Sequence, residues 1–153
     1  MIAACEENIP VYTPGWEDST MGNIFVANKL KGNIHSFEIV RSGFEQMEHL
    51  IHWYRENTKT NSIGFVQIGG GIAGDFPICA VPLMIQDLKD AKTKMWSYYA
   101  QISDSTTSYG SYSGAVPNEK ISWGKLSLDS PRFMIESDAS IVAPLIFNYI
   151  LDQ

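Results

Sequence analysis

Ser62-Ile63-Gly64-Phe65-Val66-Gln67-Ile68-Gly69-Gly70-Gly71 is the stretch on which the reading of the fold turns. Its first seven residues form a short apolar run, the pattern of a buried strand. The run stops at three consecutive glycines, and residues 76–90 then read as a helical segment. Pro77 suits the first turn of that helix. Pro82 is expected to kink it or delay its true start, because proline lacks the amide donor of the helical ladder.

The same alternation continues downstream. Residues 95–102 read as a strand, 103–114 as a polar, glycine-rich loop, 132–136 as a strand and 140–151 as a closing helix with Asp138 or Ser140 as its N-cap. Upstream, residues 42–56 carry Phe44, Met47, Leu50, Ile51 and Tyr54 on one helical stripe. Residues 9–15 read as a short buried strand, and residues 1–8 as the end of a helix. Strands alternating with helices across short connections predict one α/β domain over residues 1–153, built on a parallel sheet covered by helices. An opening in mid-unit suggests that other residues precede it, on this chain or another. The closing helix and the aromatic residues Trp53, Trp96, Tyr98 and Tyr99 then either pack against that further body or form this domain's own core.

Composition narrows the function classes. The chain has 153 residues, with 11 Lys plus Arg against 17 Asp plus Glu and a formal charge of −6. Such a balance argues against a non-specific nucleic-acid binder, which needs a basic face for phosphates. Apolar runs such as 78–85 and 141–147 fall short of the roughly 20 residues that span a bilayer, so no membrane partner is expected. No signal peptide is visible, and Cys5 and Cys79 have neither a disulfide framework nor a metal-ligand spacing. A reducing, cytoplasmic setting is the expectation. His49 and His52 have helical spacing but no third ligand nearby, so no metal is expected.

Ligands of parallel α/β sheets sit beyond the carboxyl ends of the strands. Residues 15–23, 69–75 and 103–114 fall there. The glycine triplet lets a phosphate or dinucleotide approach the backbone, yet its spacing is not G-x-G-x-x-G. A tight turn needing positive φ explains it equally well. Lys125, after Ser122-Trp123-Gly124, is the residue singled out by its chemistry. An amine beside a large aromatic and a glycine can be desolvated, which lowers its pKa and frees the lone pair for imine formation. The alternative is a surface lysine ending a strand. Glu119, six residues earlier, can hold a cationic amine.

Asn118-Glu119-Lys120-Ile121-Ser122-Trp123-Gly124-Lys125-Leu126 resembles the active-site lysine motif of the deoxyhypusine synthases. Three further blocks agree in order: Ile9-Pro10-Val11 through Glu17-Asp18-Ser19 and Gly22, then Ile68-Gly69-Gly70-Gly71, and finally Glu136-Ser137-Asp138-Ala139-Ser140. The resemblance runs from about residue 9 to the C-terminus and covers the C-terminal part of such a protein, somewhat under half.

The resemblance implies a Rossmann-like, mostly parallel sheet with helices on both faces. It also implies an NAD-dependent aminobutyltransferase that oxidises spermidine and passes its four-carbon group through an enzyme-lysine imine. The acceptor would be a lysine of an eIF5A-like protein precursor, or a free polyamine as in the related homospermidine synthases. A homotetramer with sites between subunits is implied, with part of the cofactor site supplied by an N-terminal portion or a partner chain. Position by position, Lys125 would be the catalytic amine. Glu119, Trp123 and Ser113 would bind substrate, and Asp75 replaces a histidine of the substrate site. Asp18, Gly69, Gly70, Gly71, Ser105, Gly110 and Asp138 would contact NAD. Asn23, Tyr109 and Tyr112 stand where the family has aspartates. These departures motivate a second expectation, a non-catalytic paralogue that supports an active partner. A third is a dinucleotide-binding module with no transferase role.

Overall fold

The computed structural model describes residues 2–105 and 115–152. The chain divides into two compact units, residues 1–49 and 50–153.

The N-terminal unit holds α1 (Ile2–Glu6), α2 (Thr20–Leu30), a single 3₁₀ turn (Phe37–Ile39) and the start of α3 (Gly43–Asn57), which runs on into the second unit. The strand expected over residues 9–15 is not formed: Ile9 and Val11 are 58% and 49% exposed and the segment runs into a turn at Gly15, whose φ is +64°. Pro10 and Pro14 each lack the N–H that a ladder needs, which disfavours sheet pairing there. Thr13 instead donates its amide to the side chain of Gln46 on α3, at 2.7 Å. Helix α2 follows a cap in which the Ser19 hydroxyl accepts from the Gly22 amide at 3.1 Å.

The second unit is the α/β body. Strands β1 (Gly64–Ile68), β2 (Tyr98–Ser103) and β3 (Arg132–Glu136) form a parallel sheet in the order β1-β2-β3. The register pairs Ile68 with Ile102 and Ile102 with Ile135, so all three strands end at one edge. Its helices are α4 (Ile72–Ile78), the short α5 (Ala80–Pro82), α6 (Pro117–Ser122) and α7 (Ala139–Leu151). Asp138 caps α7, accepting the Ser140 amide at 2.7 Å.

The helix expected over residues 76–90 starts earlier, at Ile72, and breaks at Cys79. It resumes as α5 and closes in a π-helical turn, Leu83–Asp87. Pro82 supplies the reason. With no amide at position 82, the Ile78 carbonyl loses its helical donor. The buried Trp96 indole N–H takes that place at 3.1 Å.

The core gathers around that indole. Tyr54 and Phe65 meet Trp96 edge-on at 4.6 and 5.1 Å between ring centroids, and Phe65 stacks on Tyr99 at 6.1 Å. Leu50, Ile78, Val81, Met84 and Leu126 complete it. Trp96 and Tyr99 are therefore core of this chain, whereas much of α7 is not: Ile141, Leu145 and Tyr149 are 63%, 68% and 70% exposed. Strand β1 alternates in the same way, burying Phe65 and Gln67 while Val66 and Ile68 stay exposed.

Candidate functional site

The glycine turn is held by side chains of the sheet. Gly69 donates its amide to the Ile102 carbonyl at 2.7 Å. Its own carbonyl accepts from Gln67 Nε2 and Gln101 Nε2, each at 3.0 Å. The Tyr99 hydroxyl orients both amides, donating to Gln101 Oε1 at 2.9 Å with Gln67 Oε1 at 3.3 Å. Burial pushes the Tyr99 phenol well above its ordinary pKa, so it stays a donor. Gly69 and Gly71 have φ of +78° and +73°, which makes the positive-φ reading of the triplet correct for both. Gly74 is demanded by closeness: a Cβ there would lie 2.6 Å from the Gln67 side chain.

That turn leads into α4, and α4 carries Asp75. The Asp75 carboxylate accepts from Lys125 Nζ at 2.9 Å, with the two side chains 29% and 14% exposed. Lys125 follows α6 directly, not a strand. The Trp123 amide donates to the Glu119 carbonyl and the Lys125 amide to the Lys120 carbonyl, while Gly124 turns with φ +70°. Asp75, Cys79, Glu119, Lys120, Trp123 and Lys125 all line one cavity of about 550 Å³. The chain therefore brings together, from two sequence segments, the amine, two carboxylates and the aromatic wall expected of an amine site.

Electrostatics correct one expectation. Burial does act to lower the Lys125 pKa, but the hydrogen bond and charge of Asp75, with Cys79 beside it, outweigh that and raise it. Lys125 is an ammonium in this arrangement, not a free amine. The pair raises the pKa because Asp75 stabilises the charged form. The Cys79 thiol is pushed up by burial, and so is protonated at neutral pH.

Lys120 was not anticipated. It is 6% exposed, donates to the Ala115 carbonyl at 3.1 Å and lies 4.8 Å from the centroid of the Tyr99 ring. Burial and the nearby Lys125 charge lower its pKa, against the opposing pull of Glu119 and Asp75. A lysine one position after a glutamate on a six-residue helix gives no sequence signal of burial. The alternative of a surface position belongs to most lysines, and here it fails for both.

The described residues expected to meet NAD divide between the two units. Gly69, Gly70 and Gly71 follow β1, Ser105 follows β2 and Asp138 follows β3, at the common carboxyl edge. A Cβ at Gly69 or Gly71 would meet no atom of the described residues within 4 Å. That edge is where ligands of parallel α/β sheets sit. Asp18 belongs to the N-terminal unit, where its amide closes a turn on Gly15 at 3.1 Å. Asn23 lies in that unit too, lining a second cavity of about 540 Å³ with Trp16, Phe25 and Phe37. Tyr109, Gly110, Tyr112 and Ser113 lie outside the described residues. Among the described residues no group of His, Cys, Asp and Glu is arranged to hold a metal. His49 instead shares a 2.8 Å hydrogen bond with the Tyr12 hydroxyl. No helix among them is long and apolar enough to cross a membrane.

A family model described as deoxyhypusine synthase matches residues 1–150. The fold and the lysine cavity thus sit in a chain that belongs to the deoxyhypusine synthase family. Among curated relatives, "Probable deoxyhypusine synthase 2" of Archaeoglobus fulgidus is 26% identical over 99% of this chain and 47% of its own length. A "Deoxyhypusine synthase-like protein" of Nostoc sp. is 27% identical over the whole chain and 39% of its own length. "Probable deoxyhypusine synthase" of Schizosaccharomyces pombe is 28% identical over 94% of the chain and 37% of its length. The chain spans less than half the length of these relatives.

Proposed function

We propose that this chain works as part of a deoxyhypusine synthase-like transferase, with Lys125 as the amine that carries the transferred group. The observation that carries the reading is a single one: the Lys125 amine is largely buried, paired to Asp75 and opens on a cavity lined by Glu119 and Trp123. The substrate would be spermidine or a related amine, and the acceptor an eIF5A-like protein lysine or a free polyamine. Glu119 would bind a substrate ammonium, and Trp123 would lie along its methylenes; together they suit an extended cation with apolar segments. NAD, which takes up hydride from the substrate carbon and later returns it, would lie along the carboxyl edge against Gly69, Gly70, Gly71, Ser105 and Asp138. Ser113 and Gly110 complete the proposed set.

Lys125 must lose a proton before it can attack a carbon. Asp75 is in position to receive it, at 2.9 Å. A substrate ammonium arriving in the cavity would compete for the same carboxylate and loosen the pair, so binding itself would help release the amine. A buried ion pair of this kind also favours a second reading, a non-catalytic subunit in which the pair only holds α4 against the loop after α6. The two readings divide on one assay, the NAD-dependent release of propane-1,3-diamine from spermidine by the full chain, alone and with any synthase subunit that co-purifies. Release that disappears in Lys125→Ala supports the transferase. Release that needs a second synthase chain and survives Lys125→Ala supports the paralogue.

A further inference from the structure

The Ala115 carbonyl and the face of Tyr99 are two groups that between them suit an ammonium: one accepts its hydrogen bond, the other attracts its charge through the ring quadrupole. Both are already engaged, by Lys120 Nζ at 3.1 Å from the carbonyl oxygen and 4.8 Å from the ring centroid. Lys120 is 6% exposed and lines the same cavity as Lys125, Asp75 and Glu119. The Tyr99 ring cannot turn away, because its hydroxyl is tied to Gln101 and Gln67 beneath the glycine turn. The carbonyl and the ring are thus fixed parts of the fold, and the lysine stem is the removable part.

We propose that the Ala115 carbonyl and the Tyr99 ring form a cation subsite of the amine cavity, that Lys120 fills it with the protein's own ammonium, and that the cavity therefore prefers diamines to triamines. The inference rests on the reading of this cavity as an amine site. A linear triamine has three cationic nitrogens to place. Among the described residues three carboxylates line the cavity, Asp75, Asp87 and Glu119, and Asp75 is already paired with Lys125, which leaves Asp87 and Glu119 for two of the nitrogens. A third nitrogen would need the subsite, and there it meets both an occupied volume and a like charge. Butane-1,4-diamine carries the same four-carbon aminoalkyl group with one nitrogen fewer, and it escapes that conflict.

Titration calorimetry on the full chain tests this, with wild type, Lys120→Ala and Lys120→Met. Three probes are used: propylammonium, butane-1,4-diamine and spermidine. Lys120→Ala vacates the subsite, so it should bind propylammonium at least tenfold more tightly than wild type does. Its ratio of spermidine to diamine affinity should rise at least tenfold. Lys120→Met removes the charge and keeps the stem, so its ratio should rise in the same direction by about threefold. That variant decides the matter if Lys120→Ala does not fold. An unchanged ratio in the folded variant overturns the proposal, and so does an equal gain for all three amines, which would mean general repulsion and no subsite. Borohydride trapping at Lys125 is scored separately. A chain that shows the Lys120 switch in binding but never traps an adduct keeps the subsite and loses the transfer reading.

Discussion

At the scale of single residues, everything depends on how Lys125 is held. Sequence singled out a lysine that the structure largely buries and pairs, because Trp123 and Gly124 before it mark a crowded turn. The expected fall in its pKa was wrong, because the residue that reverses it stands fifty positions away. Asp75 occupies the position at which the resemblance implies a histidine, and it turns a desolvated amine into a paired ammonium. Asp75→Asn should therefore lower the Lys125 pKa and move the rising limb of adduct formation to lower pH, read from trapping rates between neutral and strongly alkaline pH. The sign for stability follows from the same shift. A raised folded pKa means that the pair stabilises fully below the unfolded value of 10.5, and that this is lost as pH climbs through the folded value above it. With both side chains partly exposed, the Asn variant should lose about 1 kcal/mol at neutral pH in urea unfolding.

At the scale of elements, the three sheet strands and the glycine turn were legible, whereas the strand expected over residues 9–15 does not form and two helices were not legible. Strand β1 reads from its own residues, and β3 and α7 lie within a residue of their expected bounds. Helix α2 escaped notice because Met21, Ile24, Val26 and Leu30 are spread around it, all exposed, with no single apolar stripe to give a period. The Ser19 cap was the only signal it offered. Helix α6 is six residues long, too short for periodicity, although Pro117 in its first turn marks the start. Pro82 marks the break at Cys79 locally, but the Trp96 indole that satisfies the freed Ile78 carbonyl is a partner no local reading supplies.

Two substitutions test the packing of these elements. Gly74→Ala puts a methyl into the Gln67 amide that steadies the glycine turn, and should cost about 1–3 kcal/mol in chemical unfolding. Trp96→Phe leaves the Ile78 carbonyl without its indole donor and should cost about 1–3 kcal/mol for the unpaired group, before any packing loss. A neutral result for either would show that the described contact carries no strain or bond worth the name.

At the scale of the whole molecule, the chain spans less than half the length of its relatives and leaves much of α7 and one side of β1 exposed. The formal charge of −6 sets the long-range field that a polycationic amine meets on approach. Salt screens that attraction, with a Debye length of about 10 Å at 0.1 M. Spermidine affinity should therefore fall several-fold between about 0.05 and 0.5 M salt, and the diamine affinity should fall less. A salt-independent affinity would mean that only the cavity's own contacts matter. That the expected NAD contacts divide between two units was not legible in the sequence. Gly69, Ser105 and Asp138 share an edge because the parallel register aligns three strand ends, whereas Asp18 belongs to the other unit.

The most direct measurement of the central claim is borohydride reduction of the full chain with NAD and an amine substrate, followed by peptide mass mapping. The account predicts a stable aminoalkyl adduct on Lys125, absent without NAD and absent in Lys125→Ala. No adduct with any amine tried, or an adduct on Lys120 in place of Lys125, would contradict it.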